Sequence, residues 1–409
     1  MKIFLVGGAV RDKLLSLPVR DRDWVVIGAT PELMLKNGFQ PIGRYFPVFL
    51  HPTTHEEYAL ARSEHKNGRG YTGFLIKTTP DVTLEQDLQR RDLTINAIAQ
   101  DENGELFDPY GGRKDLENRI LRHVSSSFNE DPLRVLRVAR FAARFAHLNF
   151  NIAKETEVLL AQMTSDGELK YLTVERVWEE TKRALLTANP QVYFQVLNTC
   201  NALKVLFPEL DYLYKISSSS VKYKSYINTN IHTLMSLTIA SKFSNSLEVR
   251  FATLFSHISI KMVSSIKIYS NLYNLESINI IKQFCQRLHI PNNLRDLALI
   301  ITKFNNVIFN IEQQSAKTLI TLFNQIDAWR KPSRIEHLAL LSDVNTYSRF
   351  EFKNIKCCTQ GNYLRQAFKL TQSISIKDVV DIGFKGEEIR KELTKRRVYI
   401  LQKKLFNLD

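Results

Sequence analysis

Asp21 and Asp23 stand two residues apart, immediately before the apolar run Trp24-Val25-Val26-Ile27. On a strand, that spacing puts both carboxylates on one face. Such a pair suits two Mg²⁺ ions about 3.5–4 Å apart, one activating a 3′-hydroxyl and both clamping the phosphoryl group in transfer. Upstream, the apolar run Ile3 to Val6 ends in Gly7-Gly8, and Val10 to Leu15 reads as a helix. Glycines there let backbone approach a triphosphate at a helix N-terminus, with Gly8 at the approach and Arg11 as a fixed cation. A lone D-x-D reads as a solvated acidic turn. The specific signal is the order: Gly-Gly, then Arg11, then D-x-D leading into a strand.

Three further blocks follow in the chain. They are Arg90-Arg91-Asp92-Leu93-Thr94-Ile95-Asn96-Ala97, Asp108-Pro109-Tyr110-Gly111-Gly112, and Glu130-Asp131-Pro132-Leu133-Arg134 running on through Arg137 and Arg140. With the first motif, they make the chain resemble the polymerase-β-type nucleotidyltransferases, and most closely the bacterial class II tRNA nucleotidyltransferases of the CCA-adding type. The second block matches that family's R-R-D-F/L-T-I-N-A element, the third its flexible D-P-x-x-G loop, and the fourth its E-D-x-x-R nucleotide-reading helix. The resemblance is dense over residues 1 to about 210 and patchy beyond. It implies transfer of two CMP and one AMP from CTP and ATP to the 3′ end of tRNA, with pyrophosphate released and Mg²⁺ as cofactor. Asp21 and Asp23 would be the metal ligands. The segment Glu56 to Glu64 matches a strand carrying a third acidic residue, which puts Glu57 near the metals; a solvent-facing strand carboxylate is the plain alternative. Bacterial poly(A) polymerases share the fold and motifs, and a non-catalytic RNA-binding relic is a further reading. Intact Asp21, Asp23, Arg91, Asp131 and Arg134 argue against the relic.

Within these blocks Arg91 suits a phosphate, Asp92 suits a role orienting that arginine, and Asn96 suits a ribose or backbone hydrogen bond. On a helix, Arg134, Arg137, Arg140 and Arg144 fall within an arc of about 120°. Four cations on one stripe repel unless anions face them. Nucleotide and RNA would supply those anions; a ladder of internal salt bridges would do so equally. A carboxylate accepts from the amino group that C and A share, and an arginine donates to their ring acceptors. Asp131 with Arg134 would thus accept C and A and refuse U and G. By resemblance this pair is a protein template, with Arg137 and Arg140 on the phosphate or sugar.

Relatives of this length from the γ-proteobacterial type carry a metal-dependent phosphohydrolase domain marked by a His, a His-Asp pair and later histidines. His232 fits the first ligand. Where the pair is due the chain reads Ser256-His257, and Lys303 to Phe309 holds no His or Asp. A catalytic divalent metal normally needs three or more ligands. The domain is therefore expected to keep its helices and lack that activity, with His232 and His257 as remnants of a degenerate site.

The elements that must position these residues divide by pattern. Up to about residue 125, short β-rich runs alternate with Gly and Pro, which predicts a mixed or antiparallel sheet with few helices. From Glu130 the apolar spacing turns helical, and helices are expected at Glu175 to Leu186, Asn189 to Leu206, Thr318 to Trp329, Gly361 to Gln372 and Glu387 to Lys404. The fold class is α+β: a nucleotidyltransferase head (1–138), a helical neck (139–215) whose reading helix begins at 130, a helical body (216–330) and a helical tail (331–409). Residues 211–280, rich in Lys, Asn, Ile and Ser, read as helical with a drifted surface.

The 409 residues carry 56 Lys and Arg against 42 Asp and Glu, for a net charge of +14. That balance favours a polyanionic partner. Basic residues crowd the last helix (Arg390, Lys391, Lys395, Arg396, Arg397, Lys403, Lys404), with Lys353, Lys356, Arg365 and Lys369 nearby, and this predicts phosphate contacts to tRNA. Apolar runs are too short to span a bilayer, and no secretory signal opens the chain. The four cysteines form no C-x-x-C pair, so a reduced, cytoplasmic setting without disulfides or zinc is expected.

Overall fold

The computed structural model describes residues 1–42, 48–66, 74–77, 79–215, 229–256, 270–349 and 359–405. The described chain forms two compact units. The first comprises residues 1–184 and 192–208, and the second residues 185–191 and 209–409.

The first unit is built on β1 (Lys2–Val6), β2 (Asp23–Ile27), β3 (Gln40–Ile42), β4 (Val48–Leu50) and β5 (Glu57–Leu60). After a separate hairpin of β6 (Ser63–Lys66) and β7 (Phe74–Lys77), it adds β8 (Ala99–Gln100) and β9 (Leu106–Phe107). The sheet order is β3-β4-β5-β2-β1-β8-β9. Only β2 and β5 run parallel; the other neighbours are antiparallel. The mixed sheet agrees with the sequence reading. The central strand is apolar on both sides, because Val25 belongs to one core cluster and Val26 to the other. Side chains alternate across a strand, so Asp23 shares the face of Val25. On that face Phe4, Val6 and Ala61 pack with Leu88, Ala97 and Ala99.

The head is richer in helix than its composition suggests. It holds α1 (Gly8–Leu14), α2 (Pro31–Lys36), α3 (Leu84–Gln89) and α4 (Gly112–Glu117), each only six or seven residues long. Their periodicity is too brief to read, but their caps are orderly. Thr30 caps α2 ahead of Pro31, and Thr83 with Gln86 makes a capping box on α3. The Asp108 carboxylate accepts from the backbone N–H groups of Gly112 (2.7 Å) and Arg113 (2.9 Å), so the D-P-x-x-G segment, expected as flexible, is a tied helix start. Gly112 is required there, since a Cβ would lie 2.2 Å from the Thr94 carbonyl oxygen.

The neck helices are α5 (Leu133–Phe145), α6 (Lys154–Ser165), α7 (Val174–Leu185), α8 (Pro190–Thr199) and α9 (Ala202–Leu206). The single helix expected over Asn189 to Leu206 is two, because Asn201 takes a left-handed backbone (φ 60°) between them.

The second unit is all helical: α10 (Pro208–Lys215), α11 (Thr229–Phe243), α12 (Leu247–Phe255), α13 (Ser270–Arg287), α14 (Asn292–Phe309), α15 (Ala316–Gln325), α16 (Ser333–Arg349), α17 (Thr359–Gln372), α18 (Ile376–Asp381) and α19 (Glu387–Leu405). The residues expected as body and tail share this one unit, with α16 packed on α11, α12 and α14. No helix among the described residues is long and apolar enough to cross a membrane.

Arg250 ties this unit together. It is 2% exposed and donates to the carbonyls of Leu185 (2.7 Å), Thr187 (2.7 Å), Ser244 (2.8 Å) and Ser241 (3.1 Å), and to Asn245 Oδ1 (3.0 Å). Those carbonyls end or border helices and have few other donors. Replacing Arg250 with Met keeps the aliphatic stem and strands five acceptors. The variant is expected to lose roughly 3–5 kcal/mol of stability in urea unfolding, while a surface change such as Lys282→Gln stays within about 0.5 kcal/mol.

Candidate nucleotidyl-transfer site

β2 begins at Asp23, so Asp21 lies in the turn just before it rather than on the strand. The carboxylates are nonetheless neighbours electrically. Partial burial raises the Asp23 pKa, Arg91 lowers it, and the charge of Asp21 raises it further. Glu57 opens β5 directly opposite Asp23, and in a parallel pair opposed residues share a face. Antiparallel β1 sets Val6 opposite Asp23 from the other side, which brings the Gly7-Gly8 turn to the same end of the sheet. Asp21, Asp23 and Glu57 therefore meet around one strand end. Their oxygens are the hard donors a divalent cation takes. Among the described residues no three His, Cys, Asp or Glu are already gathered at metal-holding distances.

Gly7 has φ +70°, and a Cβ there would lie 2.8 Å from Arg91 Nη1. The glycine thus admits the arginine as well as making the turn. Arg91 gives Nη2 to Asp87 Oδ2 at 3.2 Å, and its buried Nε has no partner. This is the one predicted phosphate cation whose guanidinium keeps an unmatched buried donor beside the carboxylates. Gly8 starts α1 two residues earlier than predicted.

Of the other predicted nucleotide contacts, Arg11, Asn96, Asp92 and Arg137 hydrogen-bond to one another, and Arg134, Asp131 and Arg140 have protein partners of their own. Arg11 is 2% exposed, donates to Asp12 (2.8 Å) and to the Asn96 side-chain oxygen, and lies over the rings of Phe141 and Phe145. It is a tie between α1, the 94–96 turn and α5, not an open phosphate cation. Asn96 is buried between Arg11 and Asp92, taking the Arg11 guanidinium on its oxygen and giving one amide N–H to Asp92 (2.8 Å). Asp92 does not orient Arg91; it accepts from Arg137 Nε at 2.6 Å, Asn96 and the Leu93 N–H. Burial alone would raise the Asp92 pKa, but Arg137 and these donors hold it far below the usual carboxylate range.

The arginine stripe of α5 is a ladder of internal salt bridges. Arg137 faces Asp92, Arg140 faces Glu180 (2.5 Å), and Arg144 faces Asp12 (2.8 Å). Arg134 donates to the carbonyls of Ser127 (2.5 Å) and Arg90. Asp131 is not paired with Arg134 in the template arrangement: its Oδ2 takes Arg176 at 2.8 Å and its Oδ1 the Leu133 N–H at 3.0 Å. Four residues that hold the site were missed from sequence: Asp12, Asp87, Arg176 and Glu180. Asp87 had a signal, standing three and four residues before Arg90 and Arg91 at the end of α3. Arg176 and Glu180 lie 45 and 40 residues from their partners and had none.

In the second unit, His232 Nε2 lies 3.4 Å from Ser348 Oγ. His257 lies outside the described residues, as do Lys353 and Lys356. The Glu248 oxygens take Ser246 Oγ and Asn293 Nδ2, each at 2.8 Å. Part of the expected basic face is committed internally. Arg365 grips Glu336 with two nitrogens, Arg396 pairs with Glu392, and Arg397 lies 3.5 Å above the Trp329 ring. Arg390, Lys395, Lys403 and Lys404 stay exposed around Tyr399.

The Asp92–Arg137 pair yields a pH test. A carboxylate with a depressed folded pKa adds stability above its unfolded pKa, near 4, and loses it as pH falls toward the folded value. Asp92→Asn is expected to cost roughly 2 kcal/mol at pH 7, modest for a buried pair because Arg137 is 34% open to water. In urea unfolding the gap from wild type should be constant above pH 5 and close below about pH 4.

Comparison with known proteins agrees with this geometry. The poly A polymerase head domain family matches residues 3–122, and the family described as the probable RNA and SrmB-binding site of polymerase A matches residues 149–213. A CCA-adding enzyme solved as apo form II aligns at TM-score 0.65 and 21% identity, covering 100% of this chain and 92% of that one. The Thermotoga maritima CCA-adding enzyme complexed with tRNA aligns at 0.64 and 20%, with coverage of 100% and 92%. The Bacillus stearothermophilus CCA-adding enzyme in complex with CTP aligns at 0.61 and 21%, with coverage of 98% and 89%. Residues 3–122 thus match the poly A polymerase head domain, and the chain has the fold of the solved CCA-adding enzymes.

Proposed function

We propose that this protein adds C, C and A to the 3′ end of tRNA from CTP and ATP, in the cytoplasm. The reading rests above all on the register that sets Asp23 beside Glu57, with Asp21, the Gly7-Gly8 turn and Arg91 at the same strand end. The likeness over nearly the whole chain to enzymes solved with tRNA, CTP and ATP supports it.

Asp21 and Asp23 would hold a divalent ion, Mg²⁺, which would supply acidification of the 3′-hydroxyl and neutralise charge on the transferring phosphate. Glu57 stands where it can orient that hydroxyl. The hydroxyl oxygen bonds to the α-phosphorus, the bond from that phosphorus to the bridging oxygen breaks, and pyrophosphate leaves. Arg91 holds the triphosphate beside the Gly7 turn. Asp131 and Arg134 read the base edge, for which they must exchange their present partners, Arg176 and the carbonyls of Ser127 and Arg90. Arg137 and Arg140 support that helix through Asp92 and Glu180. The exposed basic residues around Tyr399 supply sequence-independent contacts to RNA phosphates.

The decisive assay incubates tRNA lacking CCA with Mg²⁺ and each nucleotide, singly and together. Growth by three nucleotides that then stops is expected. Long poly(A) would favour a poly(A) polymerase, and no growth a relic. Asp21→Ala should abolish incorporation, and full activity in that variant would sink the metal assignment.

The second unit should lack phosphohydrolase activity, because His232 has no His-Asp pair to complete its ligand set. With Ni²⁺ or Co²⁺ and a phosphomonoester, no turnover above a protein-free blank is expected.

A further inference from the structure

We propose that Asp87 is the positioning residue of the nucleotide site, one buried carboxylate that aims Arg91 at the triphosphate and anchors the chain leaving the Glu57 strand. The inference rests on the nucleotidyltransferase reading above and goes beyond it, by naming what holds the phosphate cation in place.

Asp87 is fully buried in α3. Its Oδ1 accepts from Arg90 Nε (3.1 Å), Arg90 Nη2 (2.7 Å) and the Arg62 backbone N–H (3.3 Å); its Oδ2 accepts from Arg91 Nη2 (3.2 Å). Burial by itself would raise this carboxyl, but Arg90 and Arg91 hold it below its ordinary value, so it stays ionised at neutral pH. A buried carboxylate is stable only when its lone pairs are matched, and here four donors from three residues match them.

Each partner leads to a different part of the site. Arg62 lies two residues beyond the end of β5, the strand that Glu57 opens opposite Asp23. Arg90 continues to the base-reading helix, since its carbonyl accepts from Arg134 Nη2. Arg91 has one nitrogen on Asp87, another against Gly7, and a buried Nε with no partner. A buried donor without an acceptor is costly. The nitrogen set against Gly7 is Nη1, and it can donate to a phosphate oxygen at that turn while Asp87 fixes Nη2.

The test is equilibrium titration of the full chain with CTP, with thermal melting recorded on the same samples. Asp87→Asn and Arg91→Gln are each expected to weaken CTP binding about tenfold, and the double variant to bind no more weakly than Arg91→Gln alone. Asp87→Glu, which keeps the charge, should recover most of the affinity. In steady state the KM for CTP should rise while kcat for the first addition stays within about threefold. A merely structural carboxylate would lower the melting midpoint and leave CTP affinity unchanged, and that result would overturn the proposal. Multiplicative losses in the double variant would do so too. If Asp87→Asn does not fold, the double variant, which removes the stranded cation with its partner, and Asp87→Glu carry the comparison. A wild-type chain that binds no CTP would count against the nucleotidyltransferase reading itself, whereas a binding wild type with a silent Asp87 counts against this inference alone.

Discussion

A buried guanidinium must meet a carboxylate or several carbonyl oxygens, and the first unit is organised largely around the first solution. Taking an arginine out of water costs several kcal/mol unless a well-placed anion and further acceptors repay it. Arg11 and Arg144 share Asp12, Arg137 takes Asp92, Arg140 takes Glu180, and Arg90 and Arg91 share Asp87. The pairs Arg144–Asp12, Arg137–Asp92 and Arg140–Glu180 each join two elements. Together they lock α5 to α1, to the 92–96 segment and to α7, so the helix bearing Arg134, with Asp131 just before it, keeps a set position relative to the sheet.

That lattice leaves the sheet edge free for chemistry. The acidic residues and the glycine turn sit at one end of β1, β2 and β5, where the apolar core below them is dense. Val6, Val25 and Ala61 on the same face are almost wholly buried. A rigid floor under Asp23 and Glu57 is what two-carboxylate phosphoryl transfer needs, because misplacement of a reacting group by an ångström is costly in rate. The second unit solves a different problem. Its aromatic cluster of Phe251, Phe255 and Phe284 and the carbonyl-gathering Arg250 hold a helical array. Buried polar groups there bond to one another, as Asn305 Nδ2 does to the Ser256 carbonyl at 2.7 Å.

Much was legible from the chain alone. The strands at Ile3 to Val6 and Trp24 to Ile27, the mixed sheet, the helical remainder and the Gly-Gly and D-x-D signatures all stand in short stretches whose periodicity or spacing is local. The short head helices were not legible, since six or seven residues show too little period. The break at Asn201 was hidden because the apolar pattern continues across it.

The larger gap concerned the charges. Residue types and helical spacing determined that α5 would carry a stripe of arginines and that anions must face it. Tertiary packing alone decided which anions. Asp92 and Arg137 are 45 residues apart, Arg140 and Glu180 are 40, and Arg144 and Asp12 are 132. No periodicity reaches that far. Sequence determined the kind of chemistry, because carboxylates and glycines at fixed spacing have few uses. Structure decided which carboxylate each arginine meets, because a guanidinium bonds to whatever the fold sets within about 3 Å of it.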